Sequence, residues 1–298
     1  VILVGKQDMI AKELEKYEYA KEDIEVVHAS EIIDMGDVPT VAIKDKKDSS
    51  LVVAMRLVRE GKADALVSAG STGAVLVGGQ LVVGRLKGIK RPPLAPFIPT
   101  TKGFSLLIDC GANVDARPEH LVQFAQMGSI YYENVMGKKN PTVALLNIGT
   151  EEEKGNQLVK DTKPLMKECK NINYIGSVEA RELVSGAADV IVCEAFVGNV
   201  VLKFFEGLAL TLFGSLKEGL MSSTRTKLGA LLVKPALKGL KNQFDTSSQG
   251  GAPLLGLKGL VVKAHGNSSS KEIEIALKQC ISFKKQKINE KIKESICD

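Results

Sequence analysis

Short apolar runs, each closed by glycine, serine, asparagine or threonine, alternate along this chain with longer stretches of helical spacing. Val1–Val4, Ile24–His28, Ala65–Ser68, Ser105–Cys110, Asn173–Gly176, Asp189–Cys193 and Leu260–His265 read as strands, as does the apolar run that ends abruptly in Gly149-Thr150. Helical spacing covers Met9–Tyr17, Ser49–Gly61 with Val52, Met55, Leu57 and Val58 as its apolar face, and Leu121–Tyr132. A final helix from about Lys271 carries Ile273, Leu277, Ile281, Ile288, Ile292 and Ile296 as one stripe. Strands alternating with helices predict an α/β protein, with helices on both faces of a mostly parallel sheet and so three layers, α/β/α. Strand C-termini in such a sheet share one edge, and their loops converge on one crevice. Residues 1–298 read as a single α/β domain. Val1 begins mid-strand with no initiator Met, which predicts that a first strand and Gly-rich loop precede it.

The alternation lapses over residues 200–245, which read as an inserted helical hairpin. Its first half is apolar nearly all round, from Val200 to Leu216. Gly219 to Ser223 reads as the turn, and Pro235 as a kink in the second half. That second half carries Leu228, Leu231 and Leu232 beside Arg225, Lys227, Lys234, Lys238 and Lys241, with no acid between Gly219 and Phe244. A basic amphipathic hairpin suits an anionic membrane surface or a symmetry mate. No apolar run reads as long and uninterrupted enough for a transmembrane helix, and no signal peptide is seen.

Chemistry gathers where the strands end. Leu145–Leu158 breaks on Gly149-Thr150, passes through Glu151–Glu153 to Lys154-Gly155-Asn156, and turns helical. A strand opening into a helix there offers unpaired N–H groups to an anion, with Lys154 as a mobile charge. The strand ending at Ser68 runs into Ala69-Gly70-Ser71-Thr72-Gly73, whose small residues let an anion approach the backbone and whose hydroxyls can cap a helix. It is no Walker loop, since no GK[ST] follows. After Cys110, a single loop crowds Asn113, Asp115, Arg117 and His120, the last suited to a helix start. No GxGxxG follows the early strands with an acid about twenty residues on, so a nicotinamide cofactor is not indicated.

Composition narrows this picture. The net charge of +5 does not call for nucleic acid, and the absence of Trp leaves few stacking platforms. Cys110, Cys169, Cys193, Cys280 and Cys297 are scattered without a CxxC pair, against a disulfide framework or a zinc site and in favour of a reducing cytoplasm. Cys110 and Cys193 end apolar runs and read as small buried thiols.

SAGSTGA (Ser68–Ala74), RPPLAP (Arg91–Pro96), DCGANVDARPEHL (Asp109–Leu121), LLNIGTEEEKGNQL (Leu145–Leu158), GSVEAREL (Gly176–Leu183), FVGNVVLKFFEG (Phe196–Gly207) and GGAPLLGLKGLVVKAHGNS (Gly250–Ser268) together resemble the bacterial phosphate acyltransferase (PlsX) family. The likeness covers essentially the whole chain in order. It departs at Ser71, where Asn is common, at Glu194-Ala195, where Asp-Gly is common, and in the family's DAMGGD segment, which is not among these residues. The resemblance implies a catalytic domain with a fold like isocitrate and isopropylmalate dehydrogenases, a homodimer, and peripheral attachment to the inner face of the cell membrane. It implies transfer of a long-chain acyl group from acyl carrier protein to inorganic phosphate, without cofactor or metal, for phospholipid synthesis. A glycerol-3-phosphate acyltransferase would take the acyl phosphate.

Phosphate is itself a nucleophile and a thiolate leaves readily, so such a site needs to position and to stabilise charge rather than supply a covalent nucleophile. Lys154 and Asn199 lie in stretches that match the family's active site, and the resemblance implies catalytic roles for both. Lys154 is expected on phosphate or the oxyanion, Asn199 on the thioester carbonyl or phosphate. Ser68, Gly70, Ser71, Thr72, Gly73, Asn113, Gly149 and Thr150 are expected to line the pocket, with His265 either beside substrate or structural. Leu228, Leu231 and Leu232 are the expected membrane contact. The alternatives are a phosphate acetyltransferase-like enzyme using acyl-coenzyme A, a dehydrogenase, and a non-catalytic membrane-surface scaffold.

Overall fold

The structure is a computed structural model that describes residues 1–244 and 249–296. Residue 245, the predicted end of the insertion, and Cys297 lie outside the described residues. In chain order the first elements are β1 (Ile2–Gly5), α1 (Gln7–Leu14), β2 (Glu25–His28), α2 (Pro39–Asp45), α3 (Ser50–Arg59), β3 (Ala65–Ser68) and α4 (Thr72–Gly78). Next come β4 (Phe97–Thr100), β5 (Gly103–Ile108), α5 (Pro118–Met136), β6 (Thr142–Asn147), α6 (Gln157–Glu168), β7 (Asn173–Glu179) and β8 (Val190–Val192). Two long helices follow, α7 (Ala195–Met221) and α8 (Thr224–Gln243), then β9 (Ala252–Leu254), β10 (Leu260–Lys263), α9 (Ser270–Lys285) and α10 (Ile288–Ile296). The α/β alternation is as the pattern predicts, and strand pairing is mostly parallel, divided among three sheets in the described residues. The chain forms two compact units, Val1–Leu94 with Gln249–Asp298, and Ala95–Ser248.

In the first unit β1 pairs with β2 in parallel, and β10 lies between a parallel β3 and an antiparallel β9. The last helix differs from expectation. Lys287 adopts φ +53° and divides it into α9 and α10. Ile288 and Ile292 are buried as predicted, but α9 buries Ala276, Cys280 and Phe283 and leaves Leu277 and Ile281 exposed. A step of four residues overshoots one helical turn by about 40°, so a stripe drawn in fours walks off the buried face.

In the second unit the strand order is β4-β5-β8-β6-β7, parallel except for β4 against β5. Leu106-Leu107-Ile108 and Val190-Ile191-Val192 are wholly buried because both faces of this sheet are covered. Gly128 of α5 sits so close on one face that a Cβ there would be 2.8 Å from Val190 and 3.5 Å from Ile108 and Leu106. On the other face Leu107 and Ile191 join a cluster against which Val201 and Leu202 of α7 pack. One strand triplet thus divides its side chains between α5 and the base of α7, as a two-residue period requires.

Beyond that base, α7 is mostly exposed, with Phe204, Leu210 and Leu212 among its outward side chains. At 27 residues it runs about 40 Å. By length and composition it is apolar enough to cross a membrane, which corrects the expectation that no stretch qualifies. Lys203 and Glu206, which interrupt the run in the sequence, pair with each other one turn apart at 2.7 Å. The turn is shorter than predicted. Helix α7 continues through Gly219 to Met221, and only Ser222 and Ser223 separate the two helices. Ser223 caps α8, its Oγ accepting from the Thr226 N–H at 3.1 Å while Thr226 Oγ1 accepts from the Ser223 N–H at 3.1 Å. Pro235 lies inside α8 without ending it.

Candidate active site

The candidate residues fall on both units. In the first, Ser68 ends β3 opposite Lys263 of β10, and the Ser68 carbonyl accepts from the Ala264 N–H at 2.9 Å. The loops that follow are therefore neighbours at one sheet edge. A Cβ on Gly266 would approach the Ala69 carbonyl at 4.0 Å. Ser68 Oγ accepts from the Gly70 N–H at 3.2 Å, fixing the turn into Ser71. Ser71 is nearly buried and precedes α4, yet its hydroxyl makes no capping bond, contrary to the capping role expected for this loop. Thr72 opens α4, and Gly73 follows it so close to α2 that a Cβ would be 2.6 Å from Pro39. His265 is exposed, with Nδ1 accepting from the Asn267 N–H at 3.3 Å and its carbonyl accepting from Ser268. That ring nitrogen is committed to the turn after β10.

In the second unit β8 lies between β5 and β6, so the loops after these three strands leave one edge side by side. The β5 loop is fixed by Asp109, which is fully buried. Its Oδ1 accepts from the Ala112 N–H at 3.2 Å and its Oδ2 from Asn113 Nδ2 at 2.7 Å. The Asn113 carbonyl accepts from the Ala195 N–H at 3.3 Å, joining this loop to the start of α7. Asn199 is exposed one turn into α7, directly over Gly111, where a Cβ would lie 3.7 Å from its Oδ1. The α7 N-terminus is not vacant. Glu194 caps it, accepting from the Phe196 N–H at 2.6 Å and the Val197 N–H at 2.8 Å. Burial pushes the Cys110 and Cys193 thiols well up, so neither is a poised nucleophile, as their place at the ends of apolar runs predicts. His120 is also spent on structure, its Nδ1 accepting from the Arg117 N–H at 3.1 Å where α5 begins.

The β6 loop corrects a sequence expectation. Gly149-Thr150 does not open into a helix; α6 begins only at Gln157, and Asn156 caps it by accepting from the Val159 N–H at 2.9 Å. The intervening residues form a loop held from within. Asn147 Nδ2 donates to the Gly149 carbonyl at 2.8 Å and the Lys154 carbonyl at 3.1 Å. The Lys163 ammonium donates to the carbonyls of Glu151, Glu152 and Lys154 at 3.0, 2.9 and 3.0 Å. Gly149 is buried, with the Lys154 stem and the Glu151 carboxylate closing over it, while Thr150 and the end of Lys154 are exposed. Leu228, Leu231 and Leu232 lie apart from all these loops in sequence, exposed along α8. Asp109, Asn147 and Lys163 complete the arrangement and are not singled out from the sequence, while Glu194 stands out there only as a departure from the family pattern. Lys163 had a readable signal, for it falls four residues after Val159 and three before the buried Met166, on the apolar side of its helix.

The family model described as "Fatty acid synthesis protein" matches residues 1–291. A phosphate acyltransferase from Alkaliphilus oremlandii is 54% identical over 296 residues, covering 99% of this chain and 88% of that protein. The chain belongs to the phosphate acyltransferase family. A phosphate acyltransferase from Clostridioides difficile is 51% identical over 297 residues, covering 99% of this chain and 87% of its own. This phosphate acyltransferase family member is thus an enzyme of the acyltransferase class. Among solved structures its fold is similar to a phosphotransacetylase from Streptococcus pyogenes, with TM-score 0.61, 17% identity, and 94% and 85% of the two chains covered. EutD phosphotransacetylase from Staphylococcus aureus gives TM-score 0.59 at 18% identity, covering 95% of this chain and 85% of that one.

Proposed function

We propose that this acyltransferase moves a long-chain acyl group from the thioester of acyl carrier protein to inorganic phosphate, releasing acyl phosphate and the free carrier thiol for phospholipid synthesis. The observation that carries the reading is the clamped β6 loop, which presents Lys154 from a buried frame beside the loops that hold Asn113 and Asn199. A phosphate oxygen attacks the thioester carbonyl carbon, the carbonyl oxygen takes up charge, and the carbon–sulfur bond breaks as that charge returns. The sulfur leaves as a thiolate and takes a proton from water, since its conjugate acid has a pKa of about 8.5. Lys154 holds phosphate against the carbonyl, and Asn199 donates to the developing oxyanion. Asn113, Gly149 and Thr150 bind substrate beside them, and Ser68, Gly70, Ser71, Thr72 and Gly73 are the substrate-binding residues of the first unit. His265 holds the β10 turn.

The test follows phosphate-dependent release of carrier thiol from long-chain acyl carrier protein, with hydroxylamine trapping the acyl phosphate. Release with trapping is expected; a folded protein that releases no thiol refutes the reading. A second reading, a coenzyme A phosphotransacetylase, is favoured by the fold likeness. Faster turnover of acetyl-coenzyme A than of long-chain carrier thioester would establish it.

The exposed hairpin supports peripheral contact with an anionic membrane at the cytoplasmic face, and a homodimer that covers part of α7. Acyl phosphate would then pass to a membrane-bound glycerol-3-phosphate acyltransferase. Changing Leu228, Leu231 and Leu232 together to serine is expected to abolish sedimentation with vesicles containing anionic lipid while leaving turnover on acyl carrier protein unchanged. Undiminished sedimentation would remove α8 as the contact.

A further inference from the structure

We infer that Lys163, a residue 4% exposed, is a positioning residue for phosphate and not a structural cation alone. The inference rests on the reading that phosphate binds at Lys154. An ammonium has three protons, and Lys163 gives all three to backbone carbonyls of one loop, those of Glu151, Glu152 and Lys154. In a trans peptide the carbonyl and the following N–H point in opposite directions. Turning these three carbonyls inward therefore turns the N–H groups of Glu152, Glu153 and Gly155 away from the ammonium. Among the described residues none of these N–H groups donates to a protein acceptor. Successive outward N–H groups form a concavity suited to an anion.

Glu152, one of the loop's three acids, would otherwise oppose such an anion. Glu152 is drawn aside by an ion pair with Lys167, which with the nearby Lys163 charge holds its carboxyl below the usual range. Gly155 makes the close approach possible. It adopts φ +119°, and a Cβ there would be 2.8 Å from Asn147 Oδ1. Lys163 thus shapes the loop and places a buried positive charge behind it, while Lys154 reaches out in front. An apolar residue of the same length would fill the space and do neither.

The experiment uses the full chain and measures thiol release against phosphate concentration for Lys163→Met and Lys163→Arg. Amide hydrogen exchange of the 151–155 loop is measured alongside. Lys163→Met is expected to raise the phosphate KM roughly tenfold, as fits the loss of charge-assisted hydrogen bonds, to leave the KM for acyl carrier protein unchanged, and to speed exchange in the loop. Lys163→Arg is expected to fall between, because a planar guanidinium keeps the charge but not the three-carbonyl fit. A lowered Tm with wild-type phosphate KM and loop exchange would overturn the inference and leave Lys163 merely structural. Should Lys163→Met not fold, Lys163→Arg decides: a raised phosphate KM sustains the inference and an unchanged one overturns it. Lys154→Ala separates the two ideas. If it raises the phosphate KM and Lys163→Met does not, the positioning role fails alone; if neither variant does, phosphate binds elsewhere.

Discussion

Lys154→Ala is expected to lower kcat/KM by about a hundredfold or more, the scale for removing one donor aimed at developing charge, with Tm unchanged. The separation of the two effects comes from the loop's construction. The Lys154 carbonyl is bonded to Asn147 and Lys163, and those bonds do not involve its side chain. The side chain is exposed, so its removal leaves the frame intact. Lys154→Arg keeps the charge on a longer, planar group and is expected to retain part of the activity. Asn199→Ala is expected to behave like Lys154→Ala, since Asn199 stands over Gly111 without holding that loop by a backbone bond. Thiol-release kinetics together with thermal unfolding check all three. Near wild-type turnover for both alanine variants would sink the assignment of these residues to the reaction.

The Lys154 loop also shows how far pattern carries and where it stops. The alternation of apolar runs with helical spacing is a local property, and it locates β3 and the ends of α3 within a residue or two. The strand triplets Leu106–Ile108 and Val190–Val192 are apolar at every position because two helices cover the sheet, and that is visible as an unbroken run. Lys163 is different in kind. Its place on the apolar side of α6 is readable, but its task is not, because its three acceptors are backbone carbonyls that carry no sequence identity. Glu194 is legible as a departure from a family pattern, yet its work is to neutralise the two N–H groups at the start of α7. The final helix fails for a third reason. The break at Lys287 needs a positive φ at a non-glycine residue, and nothing in the apolar stripe announces it. Helix α7 was under-read because Lys203 and Glu206 count as two charges in a sequence but pair as one neutralised turn on the helix surface.

Gly198→Ala is expected to damage folding and turnover together, the opposite signature from Lys154→Ala. A Cβ at residue 198 would lie 1.9 Å from the Asp109 carbonyl oxygen and 3.0 Å from both the Asp109 carbonyl carbon and Cys193 Sγ. Carbon atoms in contact prefer separations of about 3.5–4.0 Å, so no rotamer relieves this clash and α7 must shift. The obstructing atoms belong to the backbone at the end of β5, inside a fully buried region. Overpacking of that kind costs about 1–3 kcal/mol. The shift would also carry Asn199 away from Gly111 and strain the Ala195–Asn113 bond that ties α7 to the β5 loop. A displacement near 1 Å at a reacting centre lowers turnover by about a hundredfold. Gly207→Ala and Gly214→Ala are the internal controls, because a Cβ at either position on the same helix meets nothing within 4 Å. Both are expected to keep full activity and to gain about 0.5–1 kcal/mol from the helix preference of alanine over glycine. Thermal unfolding and thiol release on the three variants decide the matter. If Gly198→Ala behaves as the two controls do, α7 does not press on the end of β5, and Asn199 has no fixed place in the chemistry.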